Sequence, residues 1–420
     1  MSNTRMILIA VAGLLFFAGS AGAQTVATGD SRSVSEPSFP AVCDTLVAQF
    51  TTAQRSSPPT TDDTSRVQAA LTACAGTGKS VVLAASGSFN AFYTGMITVN
   101  GEGLVINSGV TLEGNKSYAS QKELVLVEGA NSFIGGPGAI DGRGDLLSSG
   151  TPRIVQTTDT TNFIIYDVTL QQGKHPNLYM EGGDGATVWS VTIRTPANRS
   201  NADGIDIDSI TNVTVNNSTV EAGDDGIAVK TNSGAASNIT VENSQFYGTH
   251  GLSIGSQTMY GVTNVLFQNN YVYGKDLTGI LSSNDNGINI KTDEVCGGLV
   301  KQVTYANTCL YDVTHMITLN PNYGSCTGIA GTPQFQDILI NGVLATGSTS
   351  GYSTIAGYNA SNLAQVYLAN VDLEVLTQKG DENATVFLDN SNITPSGTDV
   401  TTSTFSIGGS VPSCSFNSSL

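Results

Sequence analysis

The sequence predicts an all-β, single-domain parallel β-helix with a short N-terminal helical cap, on three observations. The chain has 420 residues, of which 40% are hydrophobic and 12% charged, with 47 Gly; such a composition supports many short strands and tight turns and excludes a disordered chain. A motif recurs along it at intervals that are mostly 23 to 28 residues. Each copy alternates apolar and polar residues over four positions, reaches an Asn or Asp, and then begins a second apolar run, the pattern of strand, corner, strand.

At the N-terminus, Arg5, an apolar run from Met6 to Ala18 and the small residues Ala21-Gly22-Ala23 read as a signal peptide over residues 1–23. The run is too short to span a bilayer, and no later one reaches the roughly 20 apolar residues that spanning needs. A secreted, extracellular protein with no membrane partner is expected, and a monomer. Residues 24–78 read as a linker and helical cap that covers the open end of the stack, and residues 79–420 as the β-helix. In the cap, Asp62 and Asp63 precede a helical pattern that puts Val67, Ala70, Leu71 and Cys74 on one face. Six cysteines in an exported chain favour disulfides over metal ligation. Cys43 is expected to pair with Cys74; Cys296, Cys309, Cys326 and Cys414 allow three connectivities.

The repeat copies start at 162, 185, 212, 238, 264, 302, 337 and 365. A unit of about 25 residues cannot bury its own apolar face, but stacked units can, with each coil pairing to the next about 4.8 Å away. Asp167, Asn217, Asn243, Asn269, Asn307 and Asn370 form a corner column whose expected role is turn geometry. Trp189, the single Trp, is expected in the core.

A second column carries chemistry. Asp203-Gly204, Asp225-Gly226, His250-Gly251 and Asn286-Gly287 are each followed by apolar, any, apolar, so these four side chains are expected above one another, and residues two and four past each Gly, such as Asn289 and Lys291, are expected to face outward. Asp203, Asp224 and Asp225 then lie within about one coil spacing, where like charges keep one carboxyl protonated. Three readings remain open: paired acids that cleave a glycosidic bond, a Ca²⁺ site, or a solvated acidic patch. His250 favours the first, because imidazole is a poor ligand for Ca²⁺. A net charge of −17 excludes a nucleic-acid binder.

Asn201-Ala202-Asp203, Gly223-Asp224-Asp225, Thr249-His250-Gly251 and Asn289-Ile290-Lys291, in this order, resemble the four motifs of polygalacturonases in glycoside hydrolase family 28, usually written N-T-D, D-D, G-H-G and R-I-K. The resemblance runs from about residue 29 to about residue 325, and the chain is most similar to bacterial endopolygalacturonases. It implies a right-handed β-helix that hydrolyses the α-1,4 links of homogalacturonan in pectin with inversion and with no cofactor or metal. Asp224 would be the general acid, Asp203 and Asp225 would hold the water, and His250 would tune the acid. Lys291, Asn201, the residue at 289 and Tyr323 would meet the sugar.

Asn289 stands where the family has arginine, so the charged fork for a substrate carboxylate is missing, and Lys291, Lys230, Arg199 and Lys275 become the candidates for a positive patch. Alternatives are a hydrolase of decorated pectin, such as rhamnogalacturonan or xylogalacturonan, and a non-catalytic glycan-binding β-helix. A pectate lyase would need Ca²⁺ and an arginine base.

Overall fold

The computed structural model describes residues 24–324 and 326–416; the signal peptide expected at 1–23 lies outside the described residues. Among the described residues thirty strands form one continuous sheet, and every strand pair in it is parallel; the register runs unbroken from coil to coil except for shifts at Val42/Asp44 and His315/Thr318. The eight repeat starts fall into a single column. The residues that follow them, Phe163, Ala186, Val213, Ile239, Val265, Val303, Ile338 and Val366, pair in succession and are all fully buried. Each such Ile or Phe, taken from water into a stack of like residues, contributes about 1.5–3 kcal/mol. The wider gaps after 264 and 302 hold the loops around Lys275–Asp285 and Asn320–Pro333, which leave the stack and return in register.

The corners explain the recurring amide. All six residues of the expected corner column have φ between 50° and 55°, a left-handed conformation that Asn and Asp tolerate better than other side chains. The amides also bond along the stack: Asn269 donates to Asn243 at 3.2 Å, Asn307 to Asn269 at 3.2 Å and Asn370 to Asn341 at 2.8 Å. The repeat starts form a second ladder, with Asn238 donating to Asn212 and Asn264 to Asn238.

At the N-terminal end, helix Thr64–Cys74 buries Val67, Ala70, Leu71 and Cys74 in the main core. Asp63 holds the N-cap position without a side-chain cap bond, and it is Asp62 that accepts the Thr64 N–H at 3.0 Å; the Asp63 carboxylate accepts instead from the Tyr93 N–H and from Arg66. Cys43 pairs with Cys74, and the remaining cysteines pair as Cys296 with Cys326 and Cys309 with Cys414.

Two expectations need correction. The segment before the cap is not a free linker: Thr25, Ala27, Gly29, Asp30 and Arg32 bond in turn to Asp337, Thr304, Asn264, Thr240 and Ala186. It is a strap laid across successive coils. Trp189 is not in the core. Ala186 and Val188 take the inward positions of its strand, so alternation turns Trp189 outward, where it is half-buried.

Candidate active site

The column of X-Gly motifs is real in three dimensions. Ile205, Ile227, Leu252 and Ile288 pair in register, which sets Asp203, Asp225, His250 and Asn286, two residues earlier in each coil, on one side of four successive coils. Asp224 joins them from the turn before Asp225. The outward positions of the same strands, Asp206, Ala228, Ser253 and Asn289, form a neighbouring row. Lys230 and Lys291 come one alternation further on. Outward does not mean exposed: Asp225, Asn289 and Lys291 are 3%, 3% and 5% accessible, because each coil shields the next.

The charged groups pair tightly. The Lys291 ammonium donates to both oxygens of Asp225 at 2.9 Å, and Ser253 Oγ donates to Asp225 Oδ1 at 2.7 Å. Lys230 bridges Asp203 at 2.9 Å and Asp206 at 2.8 Å. His250 Nδ1 lies 2.9 Å from Asp224 Oδ1, while the backbone N–H groups of Asn201 and Asp225 donate to Asp224 at 3.2 and 3.0 Å. His250 Nε2 is buried without a protein partner.

These contacts separate the carboxyls electrostatically. Burial pushes Asp224 up, but the His250 hydrogen bond and charge, with Lys291 and Lys230, outweigh it and hold Asp224 at about 2. His250 is raised in return: burial lowers it, and Asp224 and then Asp225 more than compensate. Asp225 is raised, chiefly by burial, against the pull of Lys291. Asp206 is raised, by burial and then by Asp203 beside it, against the pull of Lys230. The His250/Asp224 pair therefore carries one proton as a unit.

The cations expected to form a patch for a polyanion are taken. Lys230 and Lys291 hold internal carboxylates, Arg199 donates to the Gly144 carbonyl at 2.9 Å, and Lys275 pairs with Asp312. Tyr323 does sit at the site, its ring 5.1 Å from the Lys291 ammonium. Asn201 contributes through its backbone, and Asn289 donates to Ser253 Oγ at 3.0 Å. A cleft of about 360 Å³ opens over these groups and extends to Arg153, His175 and Tyr179 on the N-terminal side. The roles of Asp206 and Ser253 were missed by sequence reasoning, although both stand two past a motif Gly and the outward rule that selects Asn289 selects them too.

Asp224, Asp225 and His250 bring one ligand atom each within 4.8 Å of the others, close enough for a divalent ion. Their donors are already engaged with each other and with Lys291, and the nitrogen facing the carboxylates is imidazole, a poor match for hard cations.

Residues 74–393 match the description "Glycosyl hydrolases family 28". An endo-polygalacturonase of Pectobacterium carotovorum subsp. carotovorum is 32% identical, over 89% of this chain and 95% of that one. A polygalacturonase of Ralstonia solanacearum is 30% identical over 86% and 83%. The solved polygalacturonase of Erwinia carotovora ssp. carotovora superposes with a TM-score of 0.74 at 31% identity, covering 85% of this chain and 99% of that one. Its right-handed parallel β-helix is the fold found here. Among the described residues no helix is long and apolar enough to cross a membrane. With the family match spanning residues 74–393 and relatives at 30% identity or more over most of its length, this chain belongs to glycosyl hydrolases family 28.

Proposed function

We propose that the protein hydrolyses α-1,4-galacturonosyl bonds of pectin, acting within the chain, with inversion and outside the cell. The observation that carries the reading is the separation of carboxyl character on one outward face: Asp224 on the protonated His250, and Asp225 on Lys291 and Ser253. The proton for the leaving oxygen resides on the His250/Asp224 pair. The imidazolium passes its Nδ1 proton to the Asp224 carboxyl, which gives it to the glycosidic oxygen as the bond breaks, leaving His250 neutral and Asp224 ionised. On the other side Asp225, with Asp203, accepts the proton of the attacking water, and Lys291 and Lys230 hold both carboxylates in place. Water bound among these closely set acids attacks opposite the leaving group, so the anomeric centre inverts. The general spacing rule would assign acids one coil apart to a retaining pair, which makes the stereochemistry a sharp test.

The experiment is reducing-end release from polygalacturonate by the protein without residues 1–23, beside an Asp224→Asn control, with proton NMR of the first product. Cleavage that yields the β anomer and falls at least 100-fold in the control is expected. An α product, or equal rates in both proteins, would overturn the assignment.

A further inference from the structure

On the C-terminal side of the acids the outward face changes character. The column that begins with Asp203, Asp225 and His250 continues as Asn286, His315 and Tyr352, and the row of Ser253 and Asn289 continues as Thr318 and Thr354. Together with Asn320 these residues line a second cavity, of about 170 Å³, that adjoins the catalytic cleft at Lys291 and Tyr323. Its walls are amides, hydroxyls, an imidazole and the rings of Tyr323 and Tyr352, with Lys291 at the junction. His315 packs edge-on against Tyr352 with ring centroids 4.8 Å apart, and its Nδ1 is buried without a protein partner. Burial keeps this imidazole below its ordinary value, the Asp285 charge raising it and Lys379 lowering it.

Two cations border the cavity. Lys291 is 5% accessible and gives its ammonium to both oxygens of Asp225. Lys379 stands at the outer rim with its ammonium 4.0 Å above the Tyr352 ring, three coils away from Asn289 along the stack. A uronate carboxylate seated against Asn289 would lose its water and gain neutral amides and hydroxyls, with the Lys291 ammonium already given to Asp225, a poor exchange for a full charge. An uncharged ring loses nothing of the kind: its hydroxyls suit Asn286, Asn289, Thr318 and Asn320, and its apolar face suits the Tyr352 ring.

Resting on the pectin-hydrolase reading above, we propose that this cavity is a subsite for an uncharged pyranosyl unit, either a methyl-esterified galacturonosyl residue or a neutral sugar, and that Asn289 sets the preference. The bond cleaved would then be one whose neighbour on this side carries no free carboxylate.

The test begins with the unaltered protein. Rates are measured on fully de-esterified homogalacturonan, on homogalacturonan about half methyl-esterified, and on pectic polymers that contain neutral sugars in or on the backbone, with mass spectrometry of the products. The expected result is a kcat/KM roughly 10-fold higher on one of the uncharged-unit substrates than on the de-esterified polymer, the size of one charge-assisted contact avoided. The products should carry the ester or the neutral sugar at the same new chain end throughout. Which substrate wins identifies ester or sugar as the source. Rates that fall in proportion to esterification, with free carboxylates at both new ends, would sink the subsite and leave the hydrolase standing; no cleavage of any of them would sink both. As the second arm, Asn289→Arg should lower KM for the de-esterified polymer roughly 10-fold with kcat little changed, and erase the preference. Circular dichroism confirms that the variant folds, and an unchanged preference in a folded variant counts against Asn289.

Discussion

Replacing Lys291 with Met removes one charge from the most buried ion pair of the site and leaves the stem length intact. Asp225 then keeps Ser253 and loses the cation paired with it. An ammonium about 4 Å from a carboxylate is worth about 4 kcal/mol at the effective dielectric of such a site, and the observed range for such neighbours is roughly 1–3 pKa units, or about 1–4 kcal/mol. Asp225 is already raised by burial with Lys291 present, so the variant raises it further. An acid raised in the folded state holds its proton longer folded than unfolded, so the stability difference between the two proteins is absent below the unfolded value of about 4 and grows as pH rises through the variant's folded value. Two measurements follow: the acid limb of the kcat profile should move up by roughly 1–3 pH units, and the loss of Tm should be small at pH 4 and larger at pH 7. A Tm loss that is the same at both pH values, with an acid limb that stays in place, would refute the view that Lys291 keeps Asp225 ionised.

His250→Ala tests the other half of the site. His250 holds Asp224 at about 2 and is itself raised, so the pair keeps its proton until pH climbs past the ordinary histidine range. With the imidazole gone, the proton rests on a buried carboxyl alone, and the alkaline limb should fall by roughly 1–3 units; a limb that does not move would place the proton elsewhere. In the corner ladder, Asn243 has φ 52°, donates to Asn216 and accepts from Asn269. Asn243→Ala should cost about 1–3 kcal/mol in urea unfolding, and Asn243→Gly less, because glycine restores the backbone freedom but not the amide bonds. Equal losses would assign the whole effect to the side-chain ladder.

The stack was legible where its corners are amides and illegible where they are not. From Asn162 onward the left-handed corner is filled by Asn or Asp in most coils, and that signature fixed the register of the catalytic column. In the first coils the same conformation is supplied by Gly101, Gly109, Gly129 and Gly136, and glycine, common throughout this sequence, gives no periodic signal. The X-Gly motif located Asp203, Asp225, His250 and Asn286 because strand alternation is rigid. It could not say that Lys230 and Lys291 turn back onto Asp203, Asp206 and Asp225, since a four-carbon stem reaches several coils and only packing chooses among them. The strap from Thr25 to Arg32 was unreadable for a related reason: its bonds go to residues 154 to 312 positions away and leave no local pattern.

That pairing of lysine with carboxylate resolves a difficulty posed by the composition. On net charge alone, a chain at −17 would need an external cationic patch to bind an acidic polymer. The candidates for one are engaged with partners of their own, Lys230 and Lys291 with the acids of the site, and the arithmetic there shows why none is required. Asp203, Asp206, Asp224 and Asp225 face Lys230, Lys291 and a protonated His250, four negative charges against three positive, so the group lies within one charge of neutrality. The acids that must do the chemistry are thus screened from an approaching uronate by the cations that position them. The selection of an uncharged unit beside Asn289 follows the same logic, since a site balanced internally has no spare positive charge to offer a carboxylate at the next position. A variant that frees one lysine, such as Asp206→Asn, should therefore strengthen binding of the de-esterified polymer at low salt, and the gain should vanish as ionic strength rises; a gain that persists in high salt would mean that shape rather than charge governs entry.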